Sequence, residues 1–428
     1  MRQRAQLFSY VGLEQHDQTL VAHYELDDYR FIESVTFEGP VTLDSSAVRA
    51  VANLWYLVAG LSYYKAGAAY RIDLGATCVG PNGRALFEAA LHDGLGEFRY
   101  RNELPLHDVT IEGGAAGEQL DGTFDTSRVL TPFGGGIDSV VTTHQLQGLV
   151  DQALFVVSPE SGRFGPLEAT GAVTGLEVVR ATRSLDPQIL SGDPALFTGH
   201  VPVTAMVSLL AAVAALGTGR GGVAMSNEHS SSAPNLRWMN RAINHQWSKS
   251  WVAEELLRDA LNEILGPQFE FASYLRDRSE LWVAKVFSEL TSYHQVFRSC
   301  NRAFSQERTN RAIDWCGECD KCLFINLILA PFLSRPALKA IFHSEPLANP
   351  RLESQLRALV NVGLDHKPFE CVGDPDESAV ALERVSAMSE WSDVPHLAAT
   401  ARLVQSDRSF DQLLEPQGIS RVPAHWLR

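Results

Sequence analysis

The sequence predicts an α/β protein built on a doubly wound, mostly parallel sheet. Three observations carry this. From Arg128 onward, short apolar and β-branched runs alternate with segments that are apolar at helical spacing. One of those runs ends in Phe133-Gly134-Gly135-Gly136-Ile137-Asp138-Ser139, a glycine turn that opens a helix. The composition is globular, with 45% hydrophobic and 20% charged residues over 428 positions, enough for two or three domains.

In chain order, residues 1–122 read as an N-terminal α/β domain. Thr19–Leu26 and Phe31–Phe37 alternate as paired strands. Residues 47–66 are apolar at helical spacing and end in Ser62-Tyr63-Tyr64-Lys65; a second helix covers 82–92. Gly113-Gly114-Ala115-Ala116-Gly117 reads as a linker. Residues 123–345 form the second domain. Its strands are Val129–Phe133, Ala153–Val157, Leu176–Ala181 and Gly221–Ser226, with a helix from Ser139 to about Gly148 and a long apolar helix after His200. Residues 346–428 read as a C-terminal helical extension with turns at Pro346, Asn349-Pro350 and Asp374-Pro375.

A net charge of −15 argues against a protein that tracks along nucleic acid by neutralising phosphates. Small-molecule substrates fit better. Met1–Leu7 is basic but no apolar segment follows it, so no signal peptide is expected. The apolar run Val201–Leu216 is short for a bilayer and carries Pro202, Thr204 and Ser208, which reads as a buried helix. The expectation is a cytoplasmic protein with no membrane partner. Nothing in the sequence sets its oligomeric state.

A strand, three glycines and Asp-Ser opening a helix make a phosphate site. Glycines let backbone N–H groups approach an anion, and the helix N-terminus adds a favourable dipole. Asp138 can hold Mg²⁺ and Ser139 can donate to a phosphate oxygen. No Gly-Lys-Ser/Thr follows, so this is not a Walker loop, and the dinucleotide spacing is absent. The segment resembles the pyrophosphatase (PP) loop of the N-type ATP pyrophosphatases, Ser-Gly-Gly-x-Asp-Ser, with Gly134 in place of the first serine. Ile137 stands where a lysine is common in that group. The resemblance implies a HUP-like domain that cleaves ATP between its α- and β-phosphates, with Phe133, Gly134, Gly135, Gly136, Asp138 and Ser139 around the nucleotide.

Four of the six cysteines form Cys300-x15-Cys316-x2-Cys319-x2-Cys322. This spacing suits a closed, structural Zn²⁺ knuckle, with Gly317 and Asp320 giving its tight backbone. Two alternatives stay open: a pair of thiols serving as the acid and base of a racemase, or inert core cysteines. Cys78 and Cys371 stand isolated.

Between the loop and the cysteines lie Gly199–Thr204, Met225–Ser230 and Asn244–Ser250, where Asn, Glu, His, Gln and Lys cluster. Such side chains are poor core material. Near strand ends they read as a binding cleft. With Ser62–Lys65, Gly94-Leu95-Gly96-Glu97-Phe98, the glycine loop, Ser299–Arg302 and Trp315-Cys316, the chain is similar to the UDP-N-acetylmuramoyl-L-alanyl-L-glutamate epimerases over roughly residues 50–375. The resemblance implies ATP- and Mg²⁺-dependent inversion of the terminal L-Glu of UDP-MurNAc-L-Ala-L-Glu in peptidoglycan precursor synthesis. Another peptide terminus, or an amidating enzyme of the deazaguanine nitrile type, remains an alternative reading.

The chemistry is coherent. Deprotonating Cα beside a free carboxylate stacks two negative charges; adenylating the carboxylate removes the first and makes the carbonyl an electron sink. His200, His245 and Lys249 are the candidate acid and base, and Glu228 a metal ligand or orienter. Lys65, Asn227 and Asn244 are candidates for substrate contact. Nothing in the sequence ranks them.

Overall fold

The computed structural model describes residues 2–105, 108–117, 119–120, 122–303, 314–363 and 366–427. The alternation seen in the sequence sets two faces. In the first half of β1 (Leu7–His16) and throughout β2 (Thr19–Leu26) and β3 (Tyr29–Glu38), every second residue is buried on one side; Leu20, Ala22, Tyr24 and Leu26 point inward together. The Ser46–Gly67 helix covers that face, capped where the Ser45 hydroxyl accepts from the Val48 N–H. The fit is close. A Cβ at Gly60 would stand 2.6 Å from the Tyr10 ring, whose hydroxyl donates to the Leu57 carbonyl at 2.6 Å.

Short strands β4 (Arg71–Asp73) and β5 (Thr110–Glu112) extend this edge. The expected linker at Gly113–Gly117 is pinned to residues 75–80 by backbone hydrogen bonds, including Gly114 N–H to Gly75 and Val79 N–H to Ala115.

The rest of the sheet is largely covered on both sides. It comprises β6 (Arg128–Pro132), β7 (Asp151–Pro159), β8 (Val178–Ser184), β9 (Gly222–Met225) and β12 (Glu270–Ser273); β10 (Leu236–Trp238) and β11 (Arg241–Ile243) form a separate hairpin. Of these, β8 is covered less than its neighbours. Along β7, Ala153 and Phe155 enter one core while Leu154 and Val156 enter the other. Buried strands of this kind read as near-continuous apolar runs, as they do here.

Among the described residues the strand order is β12-β9-β6-β7-β8-β3-β2-β1-β4-β5 in one sheet of ten. Pairing is parallel from β12 through β8 and antiparallel from β8 through β1. It is parallel again from β1 to β5. The expected mostly parallel α/β sheet is therefore present. The Val203–Gly217 and Trp251–Leu265 helices pack into the first core. The Ile137–Leu146, Glu280–Glu289 and Asp320–Leu329 helices pack into the second, so the chain winds both ways around β6. Its order reverses between β6 and β9, which makes that gap the place where an open sheet of this type holds ligands.

The C-terminal helices, including Pro375–Ser386 and Pro395–Ala401, close over the second core. Among the described residues no helix is long and apolar enough to cross a membrane; Val203–Gly217 is a core helix.

Candidate active site

Asp138, Glu228 and Glu280 each follow a strand of the switch region: β6, β9 and β12 respectively. Their carboxylate oxygens converge to within 4.8 Å of one another. One oxygen on each (Asp138 Oδ1, Glu228 Oε2 and Glu280 Oε2) is buried with no hydrogen-bond partner among the described residues. Three orphaned, converging oxygens fit a hard divalent cation, the oxygen-ligand chemistry of Mg²⁺. Burial and then Glu228 push the Asp138 carboxyl up to about 7, against the pull of Lys321 and Lys249. Burial and the Asp138 charge drive Glu280 well above its ordinary range.

The glycine loop wraps the same spot. Gly135 has φ +73°, a left-handed conformation that favours glycine, and a Cβ there would sit 3.4 Å from the Leu167 backbone. Gly136 caps the Ile137–Leu146 helix without a side-chain bond, so the orphan N–H groups of that first turn remain for an anion. The Ser139 hydroxyl donates to the Gly136 carbonyl at 3.1 Å. Phe133 is buried in the second core, which leaves its backbone alone to face the loop. Ile137 is likewise core, 1% exposed, and this explains why a lysine is not found there. Beside the loop, at the carboxyl ends of β7 and β8, opens a cavity of about 660 Å³ bordered by Pro159, Phe164, Leu167 and Arg183. Small-molecule sites commonly span roughly 300–1,000 Å³.

A second cluster adjoins the first. Glu97, in the Gly96–Arg101 helix, meets His245 Nδ1 at 2.5 Å and Arg101 at 2.6 Å. His200 stacks on His245 with ring centroids 4.2 Å apart. Lys65 donates to the Gly199 carbonyl at 2.8 Å. Burial, reinforced by Arg183, lowers the Lys65 amine to about 8. Burial also lowers His200 to about 4, so that ring is neutral. His245 goes the other way: burial opposes its charge, but hydrogen bonds to Cys371 and Glu97 lift it to about 9.

Cys371 links the two clusters, bonded to His245 and facing Lys249. Burial pushes its thiol up, yet Lys249 and His245 outweigh that and bring it down to about 6. Lys249 is held above its ordinary value, chiefly by Cys371.

Of the residues singled out from sequence, Glu228 and Lys249 are brought beside Asp138, while His200 and His245 meet in the second cluster with Glu97. Asn227 and Asn244 turn their amides on the protein itself. Asn227 donates to the Ser273 hydroxyl at 3.0 Å; Asn244 donates to the Ser231 carbonyl and accepts from the Gln246 N–H, bracing its own loop. Sequence reasoning missed Glu280, Glu97, Lys321 and Cys371. Only Glu97 had a signal, in the Gly-Leu-Gly-Glu-Phe stretch.

The four clustered thiols meet as expected. Their sulfurs all lie within 4.8 Å, with separations of 3.4, 3.7 and 3.9 Å among the bonded pairs. Around Zn²⁺ with Zn–S of about 2.3 Å, the tetrahedron edge is about 3.8 Å. Backbone N–H groups of Cys316, Glu318 and Cys322 point at these sulfurs. Cys319 caps the Asp320–Leu329 helix, and this sets Lys321 beside the carboxylates.

The family model described as the MurL N-terminal domain matches residues 1–274, and that of the MurL C-terminal domain matches 296–413. The chain belongs to the MurL family. Three curated relatives, each named UDP-N-acetyl-alpha-D-muramoyl-L-alanyl-L-glutamate epimerase, are similar to it over most of their length. One from Salinispora tropica is 39% identical over 383 residues, 87% of this chain and 82% of the relative. One from a Micromonospora species is 37% identical over 409 residues, 92% and 90%. One from Xanthomonas oryzae pv. oryzae is 33% identical over 414 residues, 93% and 90%. In this MurL-family chain the first matched region supplies Asp138, Glu228, His245 and Lys249. The second supplies Lys321 and Cys371, and Glu280 lies in the interval between. Neither region holds the site alone.

Proposed function

We propose that this chain inverts Cα of the terminal L-Glu of UDP-MurNAc-L-Ala-L-Glu to the D form, using ATP to activate the carboxylate, in peptidoglycan precursor synthesis. The observation that carries the ATP half of this reading is the set of orphaned carboxylate oxygens and lysines gathered at the glycine loop. The family and its relatives' names support the epimerisation and its substrate.

The loop N–H groups and the helix N-terminus bind the ATP phosphates, and the cavity beside β7 and β8 takes the nucleoside. Asp138, Glu228 and Glu280 would hold Mg²⁺, which would supply charge neutralisation of the phosphates. Lys321 and Lys249 supply the cationic partners that Ile137 does not. A carboxylate oxygen of the substrate attacks the α-phosphorus and the bond to the β-phosphate breaks, releasing pyrophosphate. With its charge masked, the activated carboxyl stabilises the enolate left when the Cα proton is removed. Reprotonation on the other face and hydrolysis then give the D-epimer and AMP. ATP cleavage makes the inversion directional. Cys300, Cys316, Cys319 and Cys322 would hold a structural Zn²⁺, bracing the start of the helix that carries Lys321. Reduced thiols and a UDP-linked substrate suit the cytoplasm.

The test is incubation with ATP, Mg²⁺ and UDP-MurNAc-L-Ala-L-Glu, followed by chiral analysis of Glu and assay of AMP. The expected result is D-Glu with stoichiometric AMP. AMP without a change of chirality would move the reading to an amidating or ligating enzyme, and neither product would end it.

A further inference from the structure

Glu33 breaks the pattern of its strand. It stands on the inward face of β3 between Phe31 and Val35, and its side chain is fully buried. A carboxylate there costs more than an apolar side chain of similar size. Its partner is Arg183 on β8, the strand that β3 joins antiparallel. Arg183 Nε donates to Glu33 Oε1 at 2.6 Å and Nη2 donates to Oε2 at 3.2 Å. Nη2 also reaches the Ser62 hydroxyl at 3.3 Å. One edge of the guanidinium is thereby used up, while Nη1 has no hydrogen-bond partner among the described residues. A two-point grip of this kind fixes both the plane and the direction of a guanidinium.

Arg183 is 14% exposed where Glu33 is 0%, and the side on which it is open is the 660 Å³ cavity that it borders. The rest of the lining is mostly apolar, with Phe164 and Leu167 on one part and the exposed side chains of Leu190 and Val203 on another. An apolar slot with one fixed donor suits a flat ring and its sugar. Because Glu33 cancels the charge of Arg183, the pair offers a hydrogen bond to a neutral acceptor more than a counter-ion to a phosphate. The slot also shares a wall with the phosphate loop, since a Cβ at Gly135 would stand 3.4 Å from the Leu167 backbone. The Ser62–Lys65 stretch braces this region from behind. Ser62 touches Arg183, the Tyr63 hydroxyl accepts from the Asp186 N–H at 3.3 Å, and Lys65 holds the Gly199 carbonyl.

We propose that Arg183 binds the nucleoside of ATP, donating from Nη1 to an acceptor on its base or ribose, with Glu33 as the residue that positions it. The inference rests on the ATP reading above and names the nucleoside contact of that site. The uridine of the peptide substrate carries similar acceptors. The wall shared with the glycine loop assigns the cavity to ATP instead.

The experiment measures KM for ATP, KM for UDP-MurNAc-L-Ala-L-Glu, kcat, inhibition by the product pyrophosphate, and Tm. It compares wild type with Arg183→Lys and with the double variant Glu33→Leu/Arg183→Met, which leaves no buried charge unpaired. In both variants KM for ATP should rise about 10–100-fold, the worth of a hydrogen bond to a charged group. KM for the peptide and the inhibition constant of pyrophosphate, which touches only the phosphate side, should stay within ~3-fold. An ATP KM within ~3-fold of wild type in the double variant overturns the assignment. So does a rise confined to the peptide KM, which would give the cavity to uridine, or an equal weakening of ATP and pyrophosphate, which would make Arg183 a phosphate contact. A lower Tm and kcat with both KM values unchanged would make the pair structural and overturn it too. A wild type that inverts glutamate without ATP overturns the ATP reading itself, whereas the other contrary results strike only Arg183.

Discussion

Two sets of converging ligands meet the start of the Asp320–Leu329 helix, one through Cys319 and Cys322 and the other through Lys321, and they are built in opposite ways. The four thiols are closed on themselves. Each sulfur faces other sulfurs, and backbone N–H groups point at the cluster, leaving no position for a substrate. Asp138, Glu228 and Glu280 are open: they present orphaned oxygens toward lysines and a glycine loop. A closed set stores stability. An open set stores electrostatic strain that a bound cation and phosphates relieve. The first set should therefore govern folding and the second turnover.

The largest effect should come from breaking the closed set. Cys322→Ser, or stripping with a strong chelator, should remove one zinc per chain and lower Tm by about 10 °C or more. Structural zinc contributes roughly 10–16 kcal/mol in zinc-finger peptides, of which a larger core retains part. Metal analysis with a thermal melt checks this; an unchanged Tm on zinc loss would erase the distinction.

Next comes the open set. Glu280→Gln should cut turnover about 100-fold yet raise the Tm of the ligand-free protein. It relieves repulsion between buried carboxylates, worth about 1–3 kcal/mol. A loss of both activity and stability would mean Glu280 serves the fold.

A smaller effect is expected at the hinge between the clusters. Glu97→Gln removes the charge that steadies the His245 imidazolium and should lower kcat about 10-fold with little change in KM, as steady-state kinetics would record.

The smallest effect is in pH. His245 is raised to about 9 from an ordinary 6.5, so its stabilising contribution is full below 6.5 and is lost as pH rises through about 9. Cys371 is lowered to about 6 from an ordinary 9, so its contribution is lost as pH falls through about 6. Thermal melts across pH 5–10 should show wild type gaining most over Glu97→Gln at and below about 6.5, with the gain fading as pH rises through about 9.

The contrast also explains what could be read in advance. The closed cluster was legible because its ligands crowd into one short stretch, Cys300 to Cys322, in a spacing with few other uses. The glycine loop and the buried strands were legible for the same local reason. The open cluster was legible only in part. Asp138 rode on the loop motif, and Glu228, His245 and Lys249 stood out as polar residues in apolar surroundings. Glu280 looks like an ordinary first-turn acid behind its Ser279 cap, and Cys371 like a stray thiol. Their roles arise only when β12 pairs with β9 and the 366–373 segment folds back on the 235–246 loop, contacts that no local pattern encodes. Strand β1 was missed because its outer half is not cleanly alternating, with a register shift between Tyr10 and Gly12. Strand β12 was missed because four residues carry too little periodicity.

The central claim is that the open carboxylate site activates the substrate's carboxyl group through its α-phosphoryl chemistry. The direct measurement is isotope transfer from UDP-MurNAc-L-Ala-L-Glu carrying ¹⁸O in the terminal carboxylate. The account predicts that one ¹⁸O appears in the phosphoryl group of AMP as D-Glu forms. Label in orthophosphate alongside ADP, or full inversion in the absence of nucleotide, would contradict it.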